Sequence, residues 1–249
     1  MEDLINEYLD ELGPEIKEVA QIHFSTNNIA ATSVSYNDWS PIIRINVQIP
    51  LQYRIDRFKG VLHHEIGSHL IRRFNEVKQP WHTERSKWGL KSTVIIEEGS
   101  GCINMMLEQA KDPSKHTFLY KPALNYFLCC RASQVSFSQL FKDIEKYVDN
   151  PRQRYRYVLR VKRGICDTSK PGGLYKDQVY LEGAMELLKH RRSINWRTFY
   201  SAKFNLEDLK RAKLIKKLKR EGIVLPKFVE DVDQYVKCLD VIAKHNFVE

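Results

Sequence analysis

The residues of this chain best suited to chemistry are His64, Glu65 and His69, in the stretch VLHHEIGSHLIRRF at 61–74. Imidazole nitrogens ligate zinc, and a glutamate beside a ligating histidine can take the proton of an activated water. In the H-E-x-x-H pattern of zinc proteases the two ligands stand four apart on one helix. Here the interval is five. On a regular α-helix, residues four apart differ by about 40° around the axis and residues five apart by about 140°. The spacing therefore demands a distortion. One inserted residue, a π-bulge, returns i and i+5 to one face, and Gly67 inside the interval lowers the resistance to it. Without that distortion the string is ordinary helix decoration. His63 is read as a bystander or as a partner behind the ligands.

A catalytic zinc also needs a third protein ligand. The stretch VIIEEGSG at 94–101 offers Glu97 and Glu98. On a helical wheel Glu97 shares a face with Gly101, Asn104 and Glu108, which is polar. Glu98 lies beside Ile95, Cys102 and Met105, which is apolar and predicted to face inward. A carboxylate there is costly unless paired or metal-bound. Glu98 is therefore the expected ligand, with Glu97 in reserve.

These residues must be positioned by regular elements. Residues 2–22 read as a helix interrupted at Gly13-Pro14, and 33–50 as one or two strands around Ile43, Ile45 and Val47. Helical patterns cover 54–75, 93–112, 117–131, 136–148 and 152–163. A loop spans 164–178, where Pro171-Gly172-Gly173 is a strong turn signal. Helices follow at 177–190, 195–200, 206–220 and 226–244. The expected class is α+β: a mainly α-helical domain with a small β-sheet near the N-terminus. One domain over 1–249 is expected, with its motifs in 33–200 and a basic helical segment at 201–249.

The 249 residues can bury a core, and 43% apolar with 29% charged residues excludes a disordered chain. No apolar run is long enough for a membrane span. The acidic, amphipathic N-terminus is unlike a secretory signal, so a cytoplasmic protein is expected. Five cysteines without C-x-x-C pairing fit reduced thiols. The net charge of +9 is concentrated at 150–164, 189–197 and 210–221, and predicts a polyanionic partner. Residues 210–220, with Leu209, Leu214, Ile215 and Leu218 at helical spacing, read as an amphipathic helix with a basic outer face.

Four motifs occur in order: HHEIGSH, QPW at 79–81, EEG at 97–99, and RVKRG…DTSKPGGLYKDQVYLEG at 160–183. Together they resemble the microtubule-associated tyrosine carboxypeptidase family, whose bacterial relatives carry a Q-E-G-L-A motif. The resemblance implies a zinc metallopeptidase that removes the C-terminal tyrosine of α-tubulin. It places the family's ligand pair on His64 and His69, its catalytic glutamate on Glu65, and the glutamate of Q-E-G-L-A on Glu98. This chain reads E-E-G-S-G there, with Ser100-Gly101 in place of Leu-Ala. The implied location is cytoplasmic and cytoskeletal.

A carboxypeptidase must hold a terminal carboxylate, for which basic side chains are suited. Arg160, Lys162, Arg163 and Lys176, around the Gly/Pro loop, are the expected substrate contacts, and Tyr180 a candidate oxyanion donor. The competing expectation is a non-catalytic basic module that binds tubulin or another polyanion, with a structural or lost metal site. Nucleic acid is not expected, since no known RNA or DNA module is present. A thiol hydrolase lacks a local cysteine signature.

Overall fold

The computed structural model describes residues 1–28, 30–37, 40–50 and 54–249. Asp38 and Trp39, within the expected strand region, lie outside the described residues.

Helix α1 (Glu2–Leu12) buries Ile5, Tyr8, Leu9 and Leu12 on one face. Gly13, at φ 100°, ends it, and Pro14 opens α2 (Pro14–Val19) at the first helical position, where its missing N–H costs nothing. The helix expected over 2–22 stops there. Residues Ala20–Ser25 form strand β1 instead. Pairing with a distant strand, which local periodicity does not register, decides that segment. Strands β2 (Thr32–Tyr36) and β3 (Ile43–Gln48) complete a sheet of order β1-β3-β2. The central strand β3 runs parallel to β1 and antiparallel to β2, with Val34 opposite Ile45. Its alternating Ile43, Ile45 and Val47 are buried against α1 and the next helix.

That helix, α3 (Ile55–His64), passes into a π-helical turn at Glu65–Leu70 and on into α4 (Ile71–Glu76). Both the rod and its distortion fall where the spacing of the histidines requires them. Inside α4 a row of buried polar residues grips chain from far downstream. Arg72 donates to the carbonyls of Ala202 and Phe204, and Asn75 to those of Tyr200 and Val224. Gln79 does the same for Ser201 and Lys219. The QPW motif is thus structural: Gln79 fastens the C-terminal segment, and fully buried Trp81 packs on Phe204.

Helix α5 (Val94–Asn104) is followed by one turn, α6 (Leu107–Ala110), so the helix expected over 93–112 is broken at Met105–Met106. Helices α7 (Tyr120–Ala132), α8 (Phe137–Asp143) and α9 (Pro151–Lys162) share a core that includes Leu124, Leu128, Val158 and Val161. Helices α10 (Val179–His190) and α11 (Trp196–Tyr200) follow. The helix expected over 206–220 is absent. Two single turns, α12 (Leu206–Leu209) and α13 (Ala212–Ile215), stand in its place. Arg211 leaves the helical path to hydrogen-bond the carbonyls of Trp88 and Gly89 and the carboxylate of Asp208. Leu214 and Leu218 drop into the Trp81 cluster. The chain ends on α14 (Val232–His245), whose Tyr235, Leu239 and Ile242 enter the main core. Among the described residues no helix is long and apolar enough to cross a membrane.

Helices α5 and α10 cross closely through a pair of glycines. A Cβ on Gly99 would stand 2.5 Å from the Gly183 Cα, and one on Gly183 would stand 2.7 Å from the Ile95 carbonyl carbon. These obstacles are backbone atoms, which cannot rotate away. Gly183→Ala is therefore expected to force the helices apart and to lower stability by about 1–3 kcal/mol or more. A urea titration checks this, and an unchanged midpoint would refute the close crossing.

Candidate metal centre and its cavity

His64 ends α3, and the π-turn carries His69 back beneath it. The ring centroids are 5.0 Å apart at 61°. A buried polar network holds the turn. The Ser68 hydroxyl donates to the His63 carbonyl at 3.0 Å and accepts from Asn104 Nδ2 at 2.8 Å. Asn104 also donates to the Tyr200 hydroxyl at 2.7 Å and accepts from that of Tyr235 at 2.8 Å. All four side chains are buried. A satisfied buried network of this kind fixes one local backbone geometry. Gly67 has a packing role as well, since a Cβ there would lie 2.7 Å from both the Phe228 ring and the Tyr8 hydroxyl.

The expected donors converge. Glu98 Oε2 lies 3.8 Å from His64 Nε2 and 3.7 Å from His69 Nε2, and one ligand atom from each residue falls within a 4.8 Å cluster. These separations exceed a hydrogen bond. They are close to the ~3.4 Å spacing of ligands held about 2.0–2.1 Å from one tetrahedral ion. Two imidazoles and a carboxylate facing one point thus fit a divalent metal. Gly101 makes room for the first imidazole: a Cβ there would sit 2.6 Å from His64 Nδ1. This gives the glycine of E-E-G-S-G a specific task.

Burial governs the protonation of these groups. It pushes His64 down to about 3, with the charge of His69 adding to the effect, so the imidazole is neutral and able to ligate. Burial opposes charging of His69 too, but the Glu97 carboxylate facing its Nδ1 outweighs it and pushes His69 up. Glu98 is raised by burial and by Glu97, against the pull of His69, Lys176 and the Tyr180 hydroxyl. Burial lifts Glu65 to about 7; His69 and the Val34 N–H draw it down, while Glu98 adds to the rise.

The two glutamates of α5 exchange the exposures that the wheel assigns them. Glu97 is the buried one, 7% exposed, while the Glu98 side chain keeps 26%. The reason lies outside the helix. Lys203 arrives from the C-terminal segment and meets Glu97 Oε1 at 2.9 Å. Thr93 Oγ1 donates to the other oxygen at 3.1 Å. Glu97 Oε1 also faces His69 Nδ1 at 3.6 Å. Burial opposes its ionisation, yet His69, Lys203 and Arg72 together hold its carboxyl far below the usual range. The reserve ligand therefore backs the outer nitrogen of His69 and leaves Nε2 facing Glu98. Such partners behind a ligand orient it and raise its basicity.

Tyr180, on α10, interacts with Glu98 and lines the cavity. Burial and the charges of Glu98 and Asp177 keep its hydroxyl protonated, a donor. Lys176 is exposed and acts on Glu98 from outside. The remaining expected substrate contacts are not brought to the cavity. Arg160 forms a two-pronged pair with buried Asp177, which props the turn before α10. Lys162 is only 1% exposed, and its ammonium donates to the carbonyls of Ala132, Val135 and Lys170. It pins the Gly/Pro loop and does not line the cavity. Arg163 caps α9 and is not among the cavity walls. His63 turns away, to the Tyr8 hydroxyl at 2.8 Å and Glu108 at 3.2 Å.

A cavity of about 500 Å³ opens above the donors, between β2 and a wall carrying Arg73, Arg85 and Lys203. None of these three is singled out by the sequence motifs. Arg73 had a usable signal, being four residues past His69 on the same rod. Lys203 had none, because its place depends on the long-range fastening of α4.

By geometry this is a two-histidine, one-carboxylate centre with a glutamate beside the first histidine, on the floor of an open cavity. The chain belongs to the microtubule-associated tyrosine carboxypeptidase family, whose model matches residues 2–247. It is 36% identical over 228 residues to the human protein named "Putative tyrosine carboxypeptidase MATCAP2", covering 90% of this chain and 42% of that protein. It is 33% identical over 250 residues to human microtubule-associated tyrosine carboxypeptidase 1, covering 98% and 50% respectively. The mouse form of the latter is 35% identical over 213 residues, covering 83% and 43%. The chain thus spans half or less of these relatives' lengths.

Two variants separate the roles assigned above. If zinc occupies this centre, Glu97→Ala is expected to weaken its binding by about 10–100-fold, measured by competition with a chromophoric chelator. Unchanged affinity would remove Glu97 from the site. Lys162→Met leaves three carbonyls without their donor and is expected to lower stability by about 1–3 kcal/mol while leaving zinc affinity as it is.

Proposed function

We propose that the chain is a zinc-dependent metallocarboxypeptidase that hydrolyses the C-terminal peptide bond of an acidic protein tail, removing the terminal tyrosine of α-tubulin. The observation that carries this reading is the convergence of His64, His69 and Glu98 beneath an open cavity, with Glu65 in the same wall. The relatives named as tyrosine carboxypeptidases support the reaction class and, through their microtubule association, the partner. The net charge of +9 suits an acidic tail, which a basic protein attracts over long range. The action would take place in the cytoplasm, at the cytoskeleton.

In this reading His64, His69 and Glu98 hold the zinc, with Glu97 orienting His69. Bound there, zinc supplies Lewis-acid polarisation of the scissile carbonyl and makes water acidic enough to attack near neutral pH. Glu65 takes the proton of the attacking water and returns it to the leaving amine. Its raised affinity for a proton suits a group that must act as base and then as acid. The Tyr180 hydroxyl, held protonated, donates to the oxyanion of the tetrahedral intermediate.

The reading is tested with a tyrosine-ending α-tubulin tail peptide followed by mass spectrometry. Chelator-sensitive loss of a single tyrosine is expected. Glu65→Gln is expected to retain zinc while losing at least about 100-fold in turnover; substantial residual cleavage would remove Glu65 as the base. Cleavage is also expected to slow as salt rises from low to physiological strength, because screening shortens the reach of the basic surface.

A further inference from the structure

Helix α9 carries a charged face that neither the cavity nor the core uses. At about 100° per residue, Arg152, Arg156, Leu159 and Arg163 form one stripe, with Tyr155 along its edge. Val158 and Val161 point the other way, into the core shared with α7 and α8. The arginines of this stretch divide by direction. Buried Arg154 pairs with Glu145, and Arg160 pairs with Asp177. Arg152 and Arg156 are exposed, and neither has a carboxylate partner among the described residues. The two stand four apart, where like charges repel. No acidic residue occupies the first turn of α9, where a carboxylate would suit the helix dipole. The face therefore works against the stability of its own helix and gains no ion pair from the rest of the chain.

Tyr155 and Leu159 are 51% and 46% exposed beside these cations. Arginine and aromatic residues are enriched at protein interfaces, and lysine is depleted there. The basic stretch at 210–220 lacks this mixture. It exposes Lys213, Lys216 and Lys217, while Leu214 and Leu218 are buried. An arginine fork takes a carboxylate or a phosphate on two donors. Apolar groups between such forks call for a partner with apolar side chains between its charges, which a phosphate backbone does not offer. We propose that the outer face of α9 is a docking surface for an acidic polypeptide segment with interspersed apolar residues, seated on Arg152, Arg156 and Leu159. None of the three lines the cavity, so docking needs no bound metal and stands apart from the peptidase reading. The face ends one helical turn from Arg160, whose pair with Asp177 props the turn leading to Tyr180. A partner held on α9 therefore lies on the Tyr180 side of the molecule.

The test is fluorescence anisotropy with the whole chain, each variant first checked for its fold by circular dichroism. The probe is a labelled, amidated peptide of about ten residues, glutamates with two leucines, long enough to run the ~18 Å of α9. The double variant Arg152→Gln/Arg156→Gln is expected to weaken binding about tenfold. Lys213→Gln/Lys216→Gln removes the same charge elsewhere and is expected to change affinity by less than about twofold. Leu159→Ser, with charge unchanged, is expected to weaken binding about fivefold. Equal losses in the two charge variants would mean general attraction to a basic protein and would overturn the assignment. So would full affinity in the arginine variant, or no binding by the unaltered chain. An affinity untouched by Leu159→Ser, or tighter binding of single-stranded RNA that the arginine variant loses, would overturn an acidic polypeptide as the occupant.

Discussion

Five residues separate His64 from His69, and the structure is organised around that interval. A regular helix would splay the two rings; a π-turn brings both to face Glu98. A widened turn is less favourable than the α-helix it replaces. It persists because its surroundings define it. Ser68 takes the His63 carbonyl, Asn104 takes Ser68, and two buried tyrosines take Asn104. Gly67 lets Phe228 and Tyr8 close on the turn from the outside. Residues from α5, α11 and α14 thus converge on one distorted turn of a single rod.

The second requirement is that a carboxylate arrive opposite the histidines at a fixed height. Helix α5 meets it by crossing α10 through Gly99 and Gly183, nearer than side chains would permit. The same crossing brings Tyr180 beside Glu98. Neighbouring glutamates on α5 then divide their work by direction. Glu98 faces the Nε2 atoms of both histidines. Glu97 faces the Nδ1 of His69 and is neutralised by Lys203. A buried carboxylate without such a partner would take up a proton rather than stay ionised.

The third contribution comes from the C-terminal segment. Its backbone carbonyls are satisfied by Arg72, Asn75 and Gln79, polar side chains that a core helix would not otherwise bury. These bonds place Lys203 in the cavity wall. They tie residues 200–224 to the rod that bears the histidines, so the basic segment is part of the architecture around the site rather than an appendage to it.

Much of this was legible in the residues themselves. The spacing of His64 and His69 required the π-turn, since helix geometry admits few ways to bring such residues together. The α+β class and the central strand followed from periodicity, a local property. Glu98 does face the two histidines, but not for the reason the wheel gave: the wheel assumed that apolar neighbours mean inward, whereas the burial of Glu97 depends on Lys203, from a distant segment of the chain. The single helix over 206–220 failed likewise, because hydrogen bonds from Arg211 to the Trp88–Gly89 chain outcompete helix propagation. Lys162, expected at the substrate, is a buried donor to three carbonyls. What the sequence by itself determined was what helix and strand periods encode: the fold class, most of the helices, the central strand and the distortion between the histidines. Only the tertiary structure decided which charges meet. An ion pair between distant segments leaves no periodic trace in either, and its strength is set by a burial that exists only once both have folded together.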